Sequence, residues 1–201
     1  MKTVMSLCVC AAAVAVSLAL AAGCGWSHVD GTTGATKHKH AAVKLPPASD
    51  TYTVIGEVDG LNNFVVKYSE KLYRGGYIKN EKGIGALKKW GVGTIITVTP
   101  TDEERQLAKD AGLKLVELPI KKAEPISAET IEAFLSAVKA EPKVVYVHCI
   151  GGTHRAAALS ACYRIKAEGW TYDKAAIEYD RLGGDLDTDA KMIGSLRPAG
   201  K

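Results

Sequence analysis

Residues 144–155 read VVYVHCIGGTHR, and this stretch decides the fold of the 201-residue chain. Its first half is an apolar run rich in β-branched side chains, which is typical of a buried strand. Two glycines then predict a tight turn, and the alanine-rich residues 156–161 that follow are strong helix formers. A strand, a tight loop and a helix start in that order gather backbone amides and the positive end of a helix dipole around one point. The stretch therefore predicts an anion-binding loop.

The side chains of this loop suit phosphate chemistry. Cys149 ends the strand, where the amides and the helix dipole should favour the thiolate. Arg155 follows after five intervening residues, and its planar guanidinium can hold two oxygens of a phosphate. Gly151 and Gly152 permit backbone torsions and a close approach that a side chain would prevent. A thiolate beneath a bound phosphate is placed for in-line attack on phosphorus.

The stretch resembles the signature His-Cys-x-x-Gly-x-x-Arg of the cysteine-dependent protein tyrosine and dual-specificity phosphatases. It matches at His148, Cys149, Gly152 and Arg155. The resemblance implies a phosphoric monoester hydrolase that forms a phosphocysteine at Cys149, with His148 orienting the cysteine and Arg155 stabilising the phosphate. It implies no metal and no cofactor. The loop residues expected to bind the phosphate are Ile150, Gly151, Gly152, Thr153 and His154.

The rest of the chain from residue 51 alternates short strands with amphipathic helices. Strands are predicted over 53–58, 64–68, 94–98, 113–118 and from 144, and helices over 84–90, 101–111, 127–140, from 156 and after 171. Such alternation predicts an α/β fold with a mostly parallel central sheet and helices on both faces. Residues 101–104 predict a capping box at the start of one helix. Residues 72–76 resemble the opening step of bacterial dual-specificity-like domains, in which Arg74 is either a brace for the sheet or an ordinary surface arginine.

The chain departs from the family in its proton donor. The family carries an aspartate on a loop about thirty residues before the cysteine, and Lys122 stands at that position here. Glu124 is the only carboxylate in this loop and is the predicted general acid, while Glu117 on the preceding strand is the weaker candidate. Lys122, with its neighbour Lys121, either helps to select an anionic substrate or belongs to a solvated basic turn.

A second departure follows the arginine. The family has serine or threonine there, and its hydroxyl stabilises the departing thiolate, whereas this chain has Ala156. Both departures leave an alternative: a catalytically weak or inactive pseudophosphatase that binds phosphate esters. A sulfur-transferring, rhodanese-like domain is disfavoured by the His-Cys start and by the spacing between Cys149 and Arg155.

The N-terminal region predicts export. Residues 1–23 combine a basic start with an apolar run and are interpreted as a signal peptide. Residues 20–24 resemble a bacterial lipoprotein cleavage box with Cys24 as the lipidated residue, so the expected location is a membrane surface facing the periplasm or cell exterior. Plain secretion and a retained membrane anchor are the alternatives. Residues 24–50 are small and polar and predict a flexible tether, and residues 51–201 form the phosphatase-like domain.

Composition limits the partners. The net charge of +4 is mild and the lysines are scattered, which disfavours nucleic acid. The resemblance to the phosphatases implies a phosphorylated protein or a small anionic phosphate ester as the partner. Of the five cysteines, only Cys149 and Cys162 fall in the folded part, so no disulfide framework is expected. Cys162 is either a buried helix cysteine or a partner in a protective disulfide with Cys149. The alternating aspartates of residues 185–189 are attributed to helix capping, because the glycine and glutamate of a calcium loop are missing.

Overall fold

The computed structural model describes residues 44–198. The predicted signal peptide, the lipidation site at Cys24 and most of the predicted tether lie outside the described residues. Within residues 44–198, none of the helices has the length and apolar character needed to cross a membrane.

A six-stranded sheet forms the centre of the domain. Its strands are β1 (Thr53–Glu57), β2 (Phe64–Lys67), β3 (Leu72–Gly75), β4 (Val92–Thr97), β5 (Lys114–Glu117) and β6 (Val144–His148), in the order β1-β2-β3-β6-β4-β5. β3, β6, β4 and β5 run parallel, whereas β1 and β2 add an antiparallel hairpin at one edge. The mostly parallel sheet predicted from the sequence is confirmed.

Helices cover both faces of this sheet, as the alternating pattern predicts. They are α1 (Glu81–Lys89), α2 (Asp102–Asp110), α3 (Ala128–Ala140), α4 (Arg155–Lys166), α5 (Tyr172–Arg181) and α6 (Ala190–Gly194). Apolar residues of α1 and α2 pack in one core with one face of the sheet, and those of α3, α4, α5 and α6 pack in a second core with the other face. Because β6 is central and apolar, both of its faces are buried and its carboxyl end is held between β3 and β4.

Side-chain caps fix where α1, α2, α3 and α5 begin. Thr101 accepts a hydrogen bond from the backbone amide of Glu104 at 3.2 Å, as the predicted cap requires. The predicted capping box is nevertheless wrong in its second half, because the carboxylate of Glu104 contacts His148 and not the start of its own helix. A tertiary contact with a buried partner therefore replaces the local one.

Candidate active site

Cys149 lies at the carboxyl end of β6, at the middle of the parallel part of the sheet. Its side chain is buried, with 3% of the residue exposed, and residues 150–154 connect it to the first residue of α4, Arg155. The backbone amide of Gly152 donates to the Cys149 sulfur, with 3.2 Å between N and Sγ. An amide of the loop thus already points at the sulfur, as expected for a loop that stabilises a thiolate.

Two consecutive asparagines hold the first part of the loop from outside. Asn62 Nδ2 donates to the carbonyl oxygen of Ile150 at 2.9 Å, and Asn63 Nδ2 donates to that of Gly151 at 2.9 Å. The backbone amide of Tyr77 also donates to Ile150 O, at 3.2 Å. In a planar trans peptide the N–H points opposite to the C=O, so carbonyls fixed toward these donors turn the following amides to the other side of the loop. Consecutive asparagines between two strands are typical of a turn, so nothing local in the sequence indicates the contact of Asn62 and Asn63 with the loop.

Arg74 holds the next peptide. It is 1% exposed, and its Nη1 donates to the carbonyl oxygen of Gly152 at 2.6 Å. Its Nη2 lies 3.4 Å from the carbonyl oxygen of Leu182, and its guanidinium stacks over the ring of Phe64 at 5.5 Å. Arg74 is therefore a buried brace, and its alternative interpretation as a surface residue is wrong.

Gly152 is required by its surroundings. Its φ of +79° is in the left-handed region, and a Cβ atom there would lie 2.5 Å from the carbonyl carbon of Gly75. Any side chain would push the loop away from the end of β3. The glycine of the signature thus brings the loop against its neighbouring strand.

His148 connects the loop to α2. It is fully buried, its Nε2 contacts the carboxylate of Glu104, and its Nδ1 lies 3.4 Å from the carbonyl oxygen of Cys149. This places His148 against the backbone of the cysteine, in the position its predicted orienting role needs. Glu104 is only 5% exposed, so both members of the pair are buried.

His154 connects the loop to the C-terminal part of the domain. Its Nδ1 contacts Asp189, which is fully buried, and the hydroxyl of Tyr179 donates to the same carboxylate oxygen at 2.5 Å. Asp189 precedes α6 but makes no side-chain cap, so helix capping is the wrong account of this aspartate. Capping-type bonds come instead from Asp185, which accepts from the backbone amide of Thr188 at 2.9 Å.

Arg155 contacts the loop that carries the predicted acid. Its Nη1 donates to the carbonyl oxygen of Ile120 at 3.3 Å. Glu124 is exposed on this loop and makes no hydrogen bond or ion pair with any of residues 44–198. Ala123 beside it has a left-handed φ of +59°. Lys122 is exposed as well, and so is Lys121.

Glu117 does not suit the role of acid. Both of its carboxylate oxygens accept from Arg105, at 2.7 and 2.8 Å. The guanidinium holds the pKa of Glu117 below its usual range, mainly through these hydrogen bonds. An ionised carboxylate has no proton to give, which leaves Glu124 as the predicted general acid.

A cleft of about 360 Å³ opens beside the loop. It is lined by Tyr77, Ile78, Thr99, Thr101, Glu104 and Ile150. Tyr77 is 42% exposed and Ile150, the loop residue that follows the cysteine, is 57% exposed, so the cleft presents an apolar rim at the start of the loop. Apolar walls of this kind suit the organic part of a substrate.

Cys162 lies fully buried on α4, and burial raises its pKa to about 11. Both Cys149 and Cys162 are free thiols. The environment of Cys162 therefore fits a structural helix cysteine. In the part of the chain that the structure describes, no three His, Cys, Asp or Glu side chains are grouped to hold a metal ion.

Cysteine-dependent phosphatases are the class that this fold and loop define, because a cysteine at the end of a central parallel strand accepts from a loop amide and an arginine begins the helix that follows the loop. A family model described as "DSP-PTPase phosphatase fused to NAD+ Kinase" matches residues 52–188. The chain belongs to this phosphatase family, as the signature around Cys149 predicts.

Individual relatives agree with this assignment. The dual specificity protein phosphatase TpbA of Pseudomonas aeruginosa (strain UCBPP-PA14) is 29% identical over 151 residues, which are 75% of this chain and 66% of TpbA. The human protein tyrosine phosphatase type IVA 3 is 31% identical over 119 residues, which are 56% of this chain and 68% of the relative. The chain thus spans about two thirds of the length of these curated relatives.

Solved structures share the fold. The crystal structure of P. aeruginosa TpbA in complex with pTyr superposes with a TM-score of 0.64 and 23% identity, covering 76% of this chain and 93% of that chain. The crystal structure of PTPMT1 superposes with a TM-score of 0.52 and 18% identity, covering 64% of this chain and 90% of that chain. Both confirm the architecture of a cysteine phosphatase.

Proposed function

We propose that the protein hydrolyses phosphate monoesters through a phosphocysteine at Cys149. The observation that carries this proposal is the set of fixed loop carbonyls, bound by Asn62, Asn63 and Arg74, together with the Gly152 amide that donates to the Cys149 sulfur. Preorganised amides of this kind stabilise the charge that develops on the phosphoryl oxygens in the transition state. Arg155 adds a guanidinium at the start of the helix.

The reaction takes two steps. The Cys149 thiolate attacks phosphorus, a sulfur–phosphorus bond forms, the bond to the ester oxygen breaks, and Glu124 gives its proton to the departing oxygen. Water then attacks the phosphocysteine and gives a proton back to Glu124, and the sulfur leaves as thiolate with release of inorganic phosphate. We propose Glu124 for the proton transfers because it is exposed on the loop that Arg155 touches and is free of ion pairs with residues 44–198.

We propose an aryl phosphate ester, such as phosphotyrosine in a protein, as the preferred substrate class. The apolar rim formed by Tyr77 and Ile150 supports this choice, since it offers a surface for an aromatic ring at the start of the loop. TpbA, a relative with the same fold, was crystallised with pTyr. Small anionic phosphate esters fit the same loop through their phosphate alone.

The test is hydrolysis of p-nitrophenyl phosphate by the full chain under reducing conditions. Cys149→Ser should abolish turnover, and Glu124→Gln should alter the pH profile and reduce turnover of phenyl phosphate more than that of p-nitrophenyl phosphate, because the poorer leaving group needs the proton. Glu132→Gln, which changes an exposed glutamate on α3, is the matched control. If the protein binds phosphate esters but hydrolyses none, the proposal of an enzyme is contradicted and the pseudophosphatase alternative is favoured.

We further propose that the domain is exported and held at a membrane surface by lipid on Cys24. The support is the sequence alone, through the apolar run of residues 7–22 and the cleavage box that ends at Cys24. A phosphatase in that position would act on phosphate esters outside the cytoplasm.

A further inference from the structure

The cleft that opens at the start of the loop has an apolar part and an acidic part. Tyr77, Ile78 and Ile150 make one part of its lining apolar. Glu104 lines the same cleft and brings a carboxylate to it. An aromatic ring uses the apolar part alone and leaves the carboxylate without a role. A side chain with an aliphatic stem and a cationic head uses both parts, because its stem packs on apolar surface while its head needs an acceptor.

Only one oxygen of the Glu104 carboxylate is bound within the protein. Its Oε1 contacts Nε2 of His148. Its Oε2 has no hydrogen bond or ion pair with any of residues 44–198, and protein atoms do not enclose it fully. A ligand in the cleft can therefore donate to Oε2. Because the side chain is only 5% exposed, the charge of a cationic donor at this oxygen is screened less than at the surface.

The apolar wall of the cleft is fixed to the loop by backbone hydrogen bonds. The amide of Tyr77 donates to the carbonyl oxygen of Ile150 at 3.2 Å, and the carbonyl oxygen of Tyr77 accepts from the amide of Asn62 at 2.9 Å. Ile150 directly follows Cys149, so the cleft opens one residue from the nucleophile. A phosphate in the loop and a side chain in the cleft can therefore belong to one peptide.

We propose that the cleft binds a lysine or arginine side chain next to the phosphorylated residue of a peptide substrate. The cationic head donates to Oε2 of Glu104, and the stem packs on Tyr77 and Ile150. This inference rests on the proposed function and specifies its substrate class, which is a phosphorylated protein site flanked by a basic residue. Glu104 determines specificity here and takes no part in bond making or breaking.

The first test compares phosphotyrosine peptides that differ in one residue next to the phosphotyrosine. That residue is lysine or norleucine, which has the same four carbons and no ammonium, and it is placed before the phosphotyrosine in one series and after it in another. We expect the wild-type kcat/KM to be about tenfold higher with lysine in at least one series, the size of effect of a charge-assisted hydrogen bond.

Variants assign this preference to the carboxylate. In Glu104→Gln the ratio between the two peptides should fall below about twofold, whatever happens to overall turnover, because the amide has no charge to pair with the ammonium. Glu103→Gln removes the same charge from the exposed neighbouring position and should keep the wild-type ratio. Thermal unfolding checks that each variant is folded.

Two further measurements do not depend on turnover by Glu104→Gln. Acetyllysine keeps the stem and loses the charge, so the wild-type protein should hydrolyse an acetyllysine peptide as slowly as the norleucine peptide. In Cys149→Ser, which has no nucleophilic thiol, the dissociation constants of the lysine and norleucine peptides should differ by the same factor as kcat/KM.

Equal kcat/KM for the lysine and norleucine peptides in both series would overturn the inference. A preference for lysine that persists in folded Glu104→Gln, or that extends to acetyllysine, has the same effect. Failure of the proposed function looks different, because the wild-type protein would then give no Cys149-dependent turnover of any peptide. The dissociation constants would still report whether the cleft prefers a basic side chain.

Discussion

Arg74 and Gly152 are joined by a 2.6 Å hydrogen bond although 78 positions separate them in the chain. The guanidinium is buried, and its two terminal nitrogens reach the carbonyl oxygens of Gly152 and Leu182 at the same time. The predicted phosphate loop is therefore fixed by a buried cation that contacts its backbone carbonyl. Stiffness of this kind is what catalysis by positioning requires.

Arg74→Lys should reduce catalysis while preserving the charge. A lysine ammonium is a single point and cannot replace the planar fork that reaches two carbonyls. We expect kcat/KM to fall about a hundredfold, the size of effect that a misplacement of about 1 Å produces. Steady-state kinetics measure this, with Arg181→Lys on the exposed side of α5 as the control. Unchanged kinetics in Arg74→Lys would show that the loop holds its shape without the fork.

Asn63 allows backbone and side-chain effects to be separated. Its φ of +58° is left-handed, and its side chain donates to Gly151. Asn63→Gly keeps the torsion and loses the donor, so we expect kcat/KM to fall about tenfold with little change in thermal stability. Asn63→Ala should lose the same activity. Its free energy of unfolding should also fall by a further 1–2 kcal/mol, about the cost of a left-handed non-glycine residue. Full activity in Asn63→Gly would show that the hydrogen bond from the Asn63 side chain is not needed to support the loop.

Glu104 should matter first for stability. Removing its carboxylate in Glu104→Ala leaves the buried His148 without its partner, which costs about 1–3 kcal/mol of unfolding free energy. Glu104→Gln keeps a hydrogen-bonding group of the same shape and should lose less. Urea unfolding of the three proteins measures the difference, and equal midpoints would contradict the importance of this contact.

The two cysteines of the domain should differ in reactivity. Burial raises the pKa of Cys162 to about 11, so at pH 8 only about one molecule in a thousand carries that thiolate. The Cys162 thiol ionises only as pH rises toward 11. Iodoacetamide should therefore spare Cys162 and modify Cys149 in the folded protein. Peptide mapping by mass spectrometry measures both sites. Equal labelling of the two cysteines in the folded protein at pH 8 would contradict the structural role of Cys162.

The proposed export and lipidation are tested by changing Cys24. Cys24→Ser removes the thiol that would carry the lipid, and we expect the protein to move from the membrane fraction to the soluble fraction and to lose incorporation of labelled palmitate. Cys10→Ser, within the predicted signal peptide, is the control and should leave both properties unchanged. Membrane association that persists in Cys24→Ser without label would favour a retained anchor.

The sequence predicted five of the six strands, five of the six helices and the cysteine loop because each has a local signal, whereas β3 and α6 were not predicted as elements. Strand and helix periods identify β6 and α4, and Thr101 identifies the start of α2. The residues that support the loop fit local patterns that do not indicate this role. Asn62 and Asn63 are typical of a turn, and Glu104 and Asp189 are typical of helix starts. Their decisive partners lie 88, 44 and 35 positions away, and no local pattern encodes such distances.

The scattered origin of the supporting contacts has a consequence for how the protein folds. The loop contacts the β1–β2 hairpin, α2 and the segment before α6, so its formation closes several long chain loops. Contacts between distant positions form slowly. We therefore expect phosphate binding to appear later than helical signal during refolding, and fragments that lack either residues 62–63 or residue 189 to fold a sheet without acquiring the loop.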